Sequence, residues 1–260
     1  MYNRGCFGIN NILKLNKEFM RIKNMGWVRT VVNGSAGVGL TFEYLLGKEF
    51  DNEGLPDYEG IEIKARRCYT KSLINLFNGN PNSKEKVAQY LVNNYGYLDY
   101  IYKSCNVLSA EVDTLEKRKA GKNYKFILKV FRKGRRVGLW IYDSDDNIMD
   151  GTTVYWTFDY LKEKLETKLK LLAVVVASRK FVDGIEYFHY VTIRYYQLKK
   201  FETFISLIEK GIISICIKIS VYRRGDKIGM IDDKGISFRI KYEDLDKLFT
   251  RIKIEKDTYR

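Results

Sequence analysis

The chain holds 260 residues, 45% of them hydrophobic and 14% aromatic, which is ample for a buried core and excludes a disordered polyelectrolyte. Lys and Arg number 46 against 32 Asp and Glu, a formal charge of +14; the excess favours a polyanionic partner, although a low-GC genome inflates lysine whatever the function. One histidine, His189, and four cysteines, Cys6, Cys68, Cys105 and Cys216, with no CxxC pair, exclude zinc fingers, zinc hydrolases and nuclease schemes that spend several histidines.

In chain order, Ile9, Ile12, Leu13, Phe19, Met20 and Ile22 predict a helix over 9–24, stopped at Gly26. The glycine-rich bend at 34–39 feeds a short helix over 40–46 that ends at Gly47. From Gly60 the period becomes two: Ile61, Ile63 and Ala65 point one way and Glu62, Lys64 and Arg66 the other, a half-buried strand with a charged face. A second strand follows over 72–77, and after the loop at 78–82 Ser83 is placed to cap a helix reaching Asn94.

Beyond about residue 105 the pattern turns strand-rich, with strands expected at 123–131, 137–143, 154–156, 171–177, 186–195 and 213–222 and helices near 158–169, 199–210 and 243–249. The apolar run from Leu171 to Ala177 falls far short of the roughly 20 residues a membrane span needs and reads as a buried strand. The N-terminal residues lead into no signal-like apolar stretch, so the expected compartment is the cytoplasm. His189 lies in an aromatic, strand-like run and reads as structural, and the cysteines read as reduced, buried fillers.

Chemistry concentrates in Pro56-Asp57-Tyr58-Glu59-Gly60-Ile61-Glu62-Ile63-Lys64. On a strand, Glu62 and Lys64 share one face about 7 Å apart, and a turn at Gly60 lets Asp57 fold back beside Glu62. Two converging carboxylates, with the backbone carbonyl of Ile63, suit a hard divalent cation such as Mg²⁺, leaving Lys64 for the attacking water or the scissile phosphate. Metal-assisted phosphodiester hydrolysis needs no histidine base, which fits the composition. The same pattern also fits a charged strand facing solvent. Glu166-Thr167-Lys168 repeats Glu-x-Lys within an amphipathic helix, with no Asp five residues earlier, and is read as non-catalytic. Glu43 is the one acid in the apolar segment Gly37–Gly47; there it is paired or metal-bound, or else it faces water.

Met25-Gly26-Trp27, the segment from Gly37 to Gly47, Pro56-Asp57, Gly60 to Lys64 and Ser72 to Phe77 together resemble the successive N-terminal blocks of the MvaI/BcnI-type restriction endonucleases, a MutH-like branch of the PD-(D/E)XK nucleases. A second stretch, from Gly211 to Ile219, Lys234 to Ile240 and Leu245 to Phe249, is similar to the family's C-terminal region. Lys234 stands where that family usually has a histidine in His-Gly-x-x-Phe-Arg-Ile, so a base contact made by that histidine is not carried over. The resemblance implies an α/β fold with a mixed sheet flanked by helices and two lobes around a DNA cleft. It implies Asp57 and Glu62 as metal ligands, Lys64 as the catalytic lysine and Glu43 as an auxiliary acid near the metal. It also implies a monomer gripping double-stranded DNA. On this reading the catalytic lobe starts with residues 1–110, and 111–260 completes the core and adds the recognition lobe.

Ten basic residues against one acid crowd the stretch from Leu115 to Arg136, among them Lys122, Arg132, Lys133, Arg135 and Arg136, and they suit a phosphate-holding hairpin or a merely solvated one. Arg66, Arg67 and Lys71 follow the catalytic strand and could hold flanking phosphates. Arg223, Arg224, Lys234, Arg239 and Lys241 are the base-reading candidates, Arg223 and Arg224 foremost, because arginine binds guanine bidentately. The expected function is a Mg²⁺-dependent type II restriction endonuclease leaving 5′-phosphate ends, with a cognate DNA methyltransferase as its genetic partner. The alternatives are a MutH-like mismatch-repair nicking enzyme and a non-catalytic, sequence-specific DNA-binding protein. No G-x-x-x-x-G-K-[ST] loop points to ATP.

Overall fold

The structure, a computed structural model, describes residues 4–48, 55–83, 85–121 and 123–254, the side chains of residues 4–7 excepted. Lys122 and the Cys6 side chain lie outside the described residues. The first half of the chain forms α1 (Arg4–Asn24), β1 (Val28–Arg29), α2 (Gly37–Leu45), β2 (Glu62–Arg67), β3 (Ile74–Asn78), α3 (Val87–Tyr95), β4 (Tyr97–Leu98), β5 (Asn106–Val112), β6 (Arg118–Ala120) and β7 (Tyr124–Phe131). The second half adds β8 (Arg136–Asp143), β9 (Ile148–Asp150), β10 (Tyr155–Thr157), α4 (Phe158–Leu169), β11 (Leu171–Val182), β12 (Ile185–Leu198), α5 (Phe201–Glu209), β13 (Ile213–Val221), β14 (Ile231–Ile240), α6 (Leu245–Leu248) and β15 (Phe249–Ile252).

The chain divides into two units, each assembled from separated segments. The first holds residues 1–72, 165–199 and 248–260, and the second 73–164 and 200–247.

In the first unit the strands run β1-β12-β11-β2, with β15 added on β12. β2 lies parallel to β11, in the register Glu62↔Leu172 to Arg67↔Ala177, while β11 and β12 form a long antiparallel hairpin. The apolar run Leu172 to Val175 is fully buried because β11 has a strand on each side and covered faces. The strand outruns its apolar stretch, continuing to Val182 after a bulge at Val176/Ala177, because β12 pairs with it throughout. α1 forms as its spacing predicts, but the buried stripe is Ile12, Leu15, Phe19 and Ile22. Ile9 and Met20 are exposed; Leu15, three residues after Ile12 and four before Phe19, fits the helical period and takes the core seat. α2 adds Val38 and Phe42, which join Ile61, Ile63, Ala173, Val175 and Phe188 in one cluster. Burial of each such large side chain contributes roughly 1.5–3 kcal/mol.

The second unit holds two antiparallel sheets, β3-β14-β13-β5-β4 and β10-β8-β7-β6, the latter with β9 on β8. Phe77 stacks on Phe238 at 5.0 Å between ring centres, and Trp156 donates its indole N–H to the carbonyl of Gly79 at 2.8 Å. Ser83 does not cap α3: its hydroxyl donates to the carbonyl of Thr153 and accepts from the N–H of Tyr155, so the helix starts later, after Lys86 in the left-handed region.

α2 begins at Gly37, inside the expected glycine-rich bend, because the chain passes close to its own preceding turn. A Cβ at Gly37 would sit 2.6 Å from the carbonyl oxygen of Val32 and 2.8 Å from the hydroxyl of Thr30. Gly37→Ala is therefore expected to destabilise the protein by about 1–3 kcal/mol. Urea unfolding checks it, and an unchanged midpoint would show that the turn yields without cost.

Candidate active site

The geometry starts with a tight turn. Glu59 and Gly60 both have positive φ, 42° and 84°, and Tyr58 and Ile61 exchange two backbone hydrogen bonds across them, the pattern of a type I′ hairpin turn. Glycine at position 60 relieves the second of these conformations. Lys14 of α1 pairs with Glu59 at 3.1 Å, and Asn11 donates to its carbonyl, which ties the turn to α1. The chain thereby folds back as a turn at Gly60 predicts, and Asp57 returns to the start of β2, where its Oδ2 accepts the N–H of Ile63 at 2.9 Å. β2 is the last strand of its path, so Asp57 satisfies an N–H that no further strand takes.

Glu62 is the decisive side chain. The reading of a charged face turned to solvent is corrected here: Glu62 is 1% exposed. Its Oε1 accepts from Lys64 Nζ at 2.5 Å and lies 3.6 Å from Lys168 Nζ, while its Oε2 is buried with no hydrogen-bond partner. Burial pushes the Glu62 carboxyl above its ordinary value, Lys64 opposes that shift, and the negative charge of nearby Asp57 adds to it. Asp57 Oδ1 pairs with Lys48 at 3.1 Å. Asp57, Glu62 and Lys64 are thus brought together, joined by Lys48 and Lys168, which the sequence reading missed.

The donor set fits a hard divalent cation. It offers two carboxylates, a buried oxygen on Glu62 without a partner and the adjacent backbone of Ile63, all oxygen donors of the kind Mg²⁺ takes alongside several waters. Among the described residues no three His, Cys, Asp or Glu side chains gather for a metal, so Glu43 does not complete a three-carboxylate cluster. Glu43 sits half-buried on α2, and its charge helps to raise the Tyr190 hydroxyl pKa, after burial as the main cause; Tyr190 donates to the carbonyl of Val38.

The cations expected to contact DNA, through phosphates or base edges, divide into those engaged within the fold and those left exposed. Arg66 is buried and donates to the carbonyl of Thr70. Arg67 forms a bidentate pair with buried Glu186, 2.7 Å for each bond, and also donates to the carbonyls of Gly34 and Ser35, so it binds the fold rather than facing a phosphate. In the second unit Arg132 pairs with Glu209, Arg135 with Asp159, and Lys117 and Lys125 with Asp146. Arg118 pairs with Asp113, Lys129 stands 3.5 Å over the Trp140 ring, and Arg136 lies over Phe131 and Tyr155. Much of the basic run is thus paired with acids or set over rings, with Lys117, Arg118, Arg132 and Arg135 remaining exposed in their pairs. Arg223 is clamped by Asp99, whose carboxyl it holds well below the usual range, and packs on Tyr100 and Tyr102. Lys234 pairs with Asp232 at 2.6 Å, and Arg239 bonds Ser237 and lies 3.6 Å from Glu111. Lys71, Lys133, Arg224 and Lys241 are exposed. His189 packs on Trp27 at 5.7 Å, in keeping with a structural role, and of the cysteines Cys216 is buried while Cys68 and Cys105 are half-buried.

An edge strand carrying Asp-x₄-Glu-x-Lys beside a parallel neighbour, in a mixed α/β fold, defines the class of the PD-(D/E)XK nucleases. The chain matches the model of the MvaI/BcnI restriction endonuclease family over residues 16–249. Among solved structures it is similar to the restriction endonuclease MvaI in complex with cognate DNA substrate, with 33% identity and a TM-score of 0.88 over 92% of this chain and 96% of that one. It is also similar to MvaI in the absence of DNA, with 31% identity and a TM-score of 0.61 over 97% and 99%. No curated protein matches. The chain belongs to the MvaI/BcnI restriction endonuclease family, and its class of activity is site-specific DNA endonuclease, a hydrolase.

Glu186 separates a structural arginine from a DNA-binding one. Its carboxyl is held below the ordinary Glu value chiefly by the hydrogen bonds from Arg67, against the opposing effect of burial. A depressed carboxyl pKa stabilises the fold above the unfolded value, and the stabilisation is lost as pH falls through the folded one. Arg67→Met leaves buried Glu186 with the more distant Arg179, 3.9 Å away, and is expected to cost about 3 kcal/mol already at neutral pH. Thermal unfolding across pH tests this; a variant as stable as the wild type would return Arg67 to the DNA surface.

Proposed function

We propose that this chain is a type II restriction endonuclease that cuts double-stranded DNA with Mg²⁺ held by Asp57, Glu62 and the carbonyl of Ile63. The observation that carries the reading is the buried Glu62, with one oxygen unpartnered, beside Asp57 and in contact with Lys64. A divalent cation there supplies Lewis-acid stabilisation of the phosphate and acidifies a bound water. The protein's share is to hold the carboxylates without reorganisation: Ile63 N–H fixes Asp57, and the sheet fixes Glu62. Lys64 shares the face of Glu62 and is half-buried, so its ammonium, released from Glu62, serves the attacking water or a non-bridging phosphate oxygen.

Water adds to phosphorus, the P–O3′ bond breaks, and the O3′ leaving group takes up a proton, giving 5′-phosphate and 3′-hydroxyl ends. Lys71, Lys133, Arg224 and Lys241, exposed cations, are the first choices for DNA contacts. A methyltransferase of matching specificity is the genetic partner that such an activity requires.

Digestion of a sequenced plasmid, with Mg²⁺ and with EDTA, tests the reading. Discrete fragments with 5′-phosphate ends are expected only with Mg²⁺, and Lys64→Ala should lower cleavage by at least about 10³-fold while leaving duplex binding within a few-fold. Nicks alone, or no product from folded wild-type protein, would contradict it.

A further inference from the structure

Glu62 meets two ammonium groups. Lys64 Nζ lies 2.5 Å from Oε1 and Lys168 Nζ 3.6 Å from the same oxygen. Asp57 is similarly engaged, with Lys48 on Oδ1 at 3.1 Å and the Ile63 N–H on Oδ2. Lys48 and Lys168 are only about a fifth to a quarter exposed, at 21% and 27%, so both interactions are partly shielded from water. The placement of Lys168 follows from topology: α4 ends at Leu169, β11 begins at Leu171, and Leu172 is in register with Glu62, so the last turn of α4 is carried over the acid. A lysine in the last turn also meets the negative end of the helix.

We propose that Lys168 and Lys48 are positioning residues of this site: they hold Glu62 and Asp57, compensate their charge in the free protein, and thereby weaken divalent-cation binding until DNA is present. The inference rests on the assignment of Asp57 and Glu62 as metal ligands. Three roles then divide among three lysines. Lys64 can leave Glu62 for the phosphate because Lys168 stays behind, and Lys48 keeps Asp57 aligned with the N–H of Ile63. A divalent cation entering between the acids is repelled by the lysines at short range, whereas DNA brings anionic phosphate that draws Lys64 away and offsets the charge of the two lysines that stay, which favours the cation. Cation and duplex therefore bind cooperatively, each strengthening the other by the same factor.

The test is a calorimetric titration of Mn²⁺ into the full chain without DNA, for wild type, Lys168→Met, Lys168→Arg, Lys48→Met and Glu62→Gln, each checked by thermal melting. Lys168→Met and Lys48→Met are expected to bind Mn²⁺ about tenfold more tightly than wild type, since each removes a nearby positive charge. Lys168→Arg should stay near wild type. Equal or weaker Mn²⁺ binding by a folded Met variant overturns the proposal, and should one Met variant fail to fold, the other decides it. Glu62→Gln reports on the underlying assignment separately: unchanged Mn²⁺ binding in that variant removes Glu62 as a ligand, whatever the lysine variants do.

Discussion

A carboxylate buried at the end strand of a sheet has to be balanced, and around Glu62 that requirement organises much of the first unit. Desolvation raises the cost of its charge, so the fold supplies Lys64 from the same strand and Lys168 from the turn before the neighbouring one. The I′ turn at Glu59 and Gly60 brings Asp57 back to the same strand, and α1 anchors that turn through Lys14 and Asn11. Hydrophobic packing of α1 and α2 against Ile61 and Ile63 then fixes the strand that carries Glu62 and Lys64 and receives Asp57. Such a site is preorganised: its acids are aimed before any substrate arrives, at an energetic cost carried by the surrounding core.

The same economy of charge governs the cations. A net charge of +14 suggests broad electropositive surfaces, but Arg67, Arg118, Arg132, Arg135 and Arg223 each hold an acid, and Lys129 and Arg136 lie over aromatic rings. Arginine is well suited to this because its fork pairs bidentately with a carboxylate. Density of basic residues in a sequence window is therefore an incomplete guide to where anions bind: Arg67 and Arg223 are committed to buried acids, whereas Arg118, Arg132 and Arg135 stay exposed in their pairs.

Legibility in the sequence followed the range of the interaction. The convergence of Asp57, Glu62 and Lys64 was readable because a turn and a period of two are local, and the family's blocks cover the same segment. The burial of Leu172 to Val175 was readable from composition alone. Lys168 and Lys48 are not, because their contacts depend on the parallel register of β2 with β11 and on Lys48, just past the end of α2, meeting Asp57. Indeed, Glu166-Thr167-Lys168 reads as non-catalytic, and it is the lysine of that motif, not the acid, that reaches the site. The pairing of Arg67 with Glu186 and of Arg223 with Asp99 is equally remote in sequence. So is the division into units at residues 72, 164, 199 and 247, where no Pro-rich or Ser-rich linker marks the crossing.

The joint use of Asp57 and Glu62 is tested most directly by anomalous diffraction from Mn²⁺ in crystals of the Lys64→Ala protein with uncleaved duplex. A peak within about 2.0–2.5 Å of carboxylate oxygens from both residues is the result expected. A peak held by other side chains, with no contact to Glu62, would contradict it.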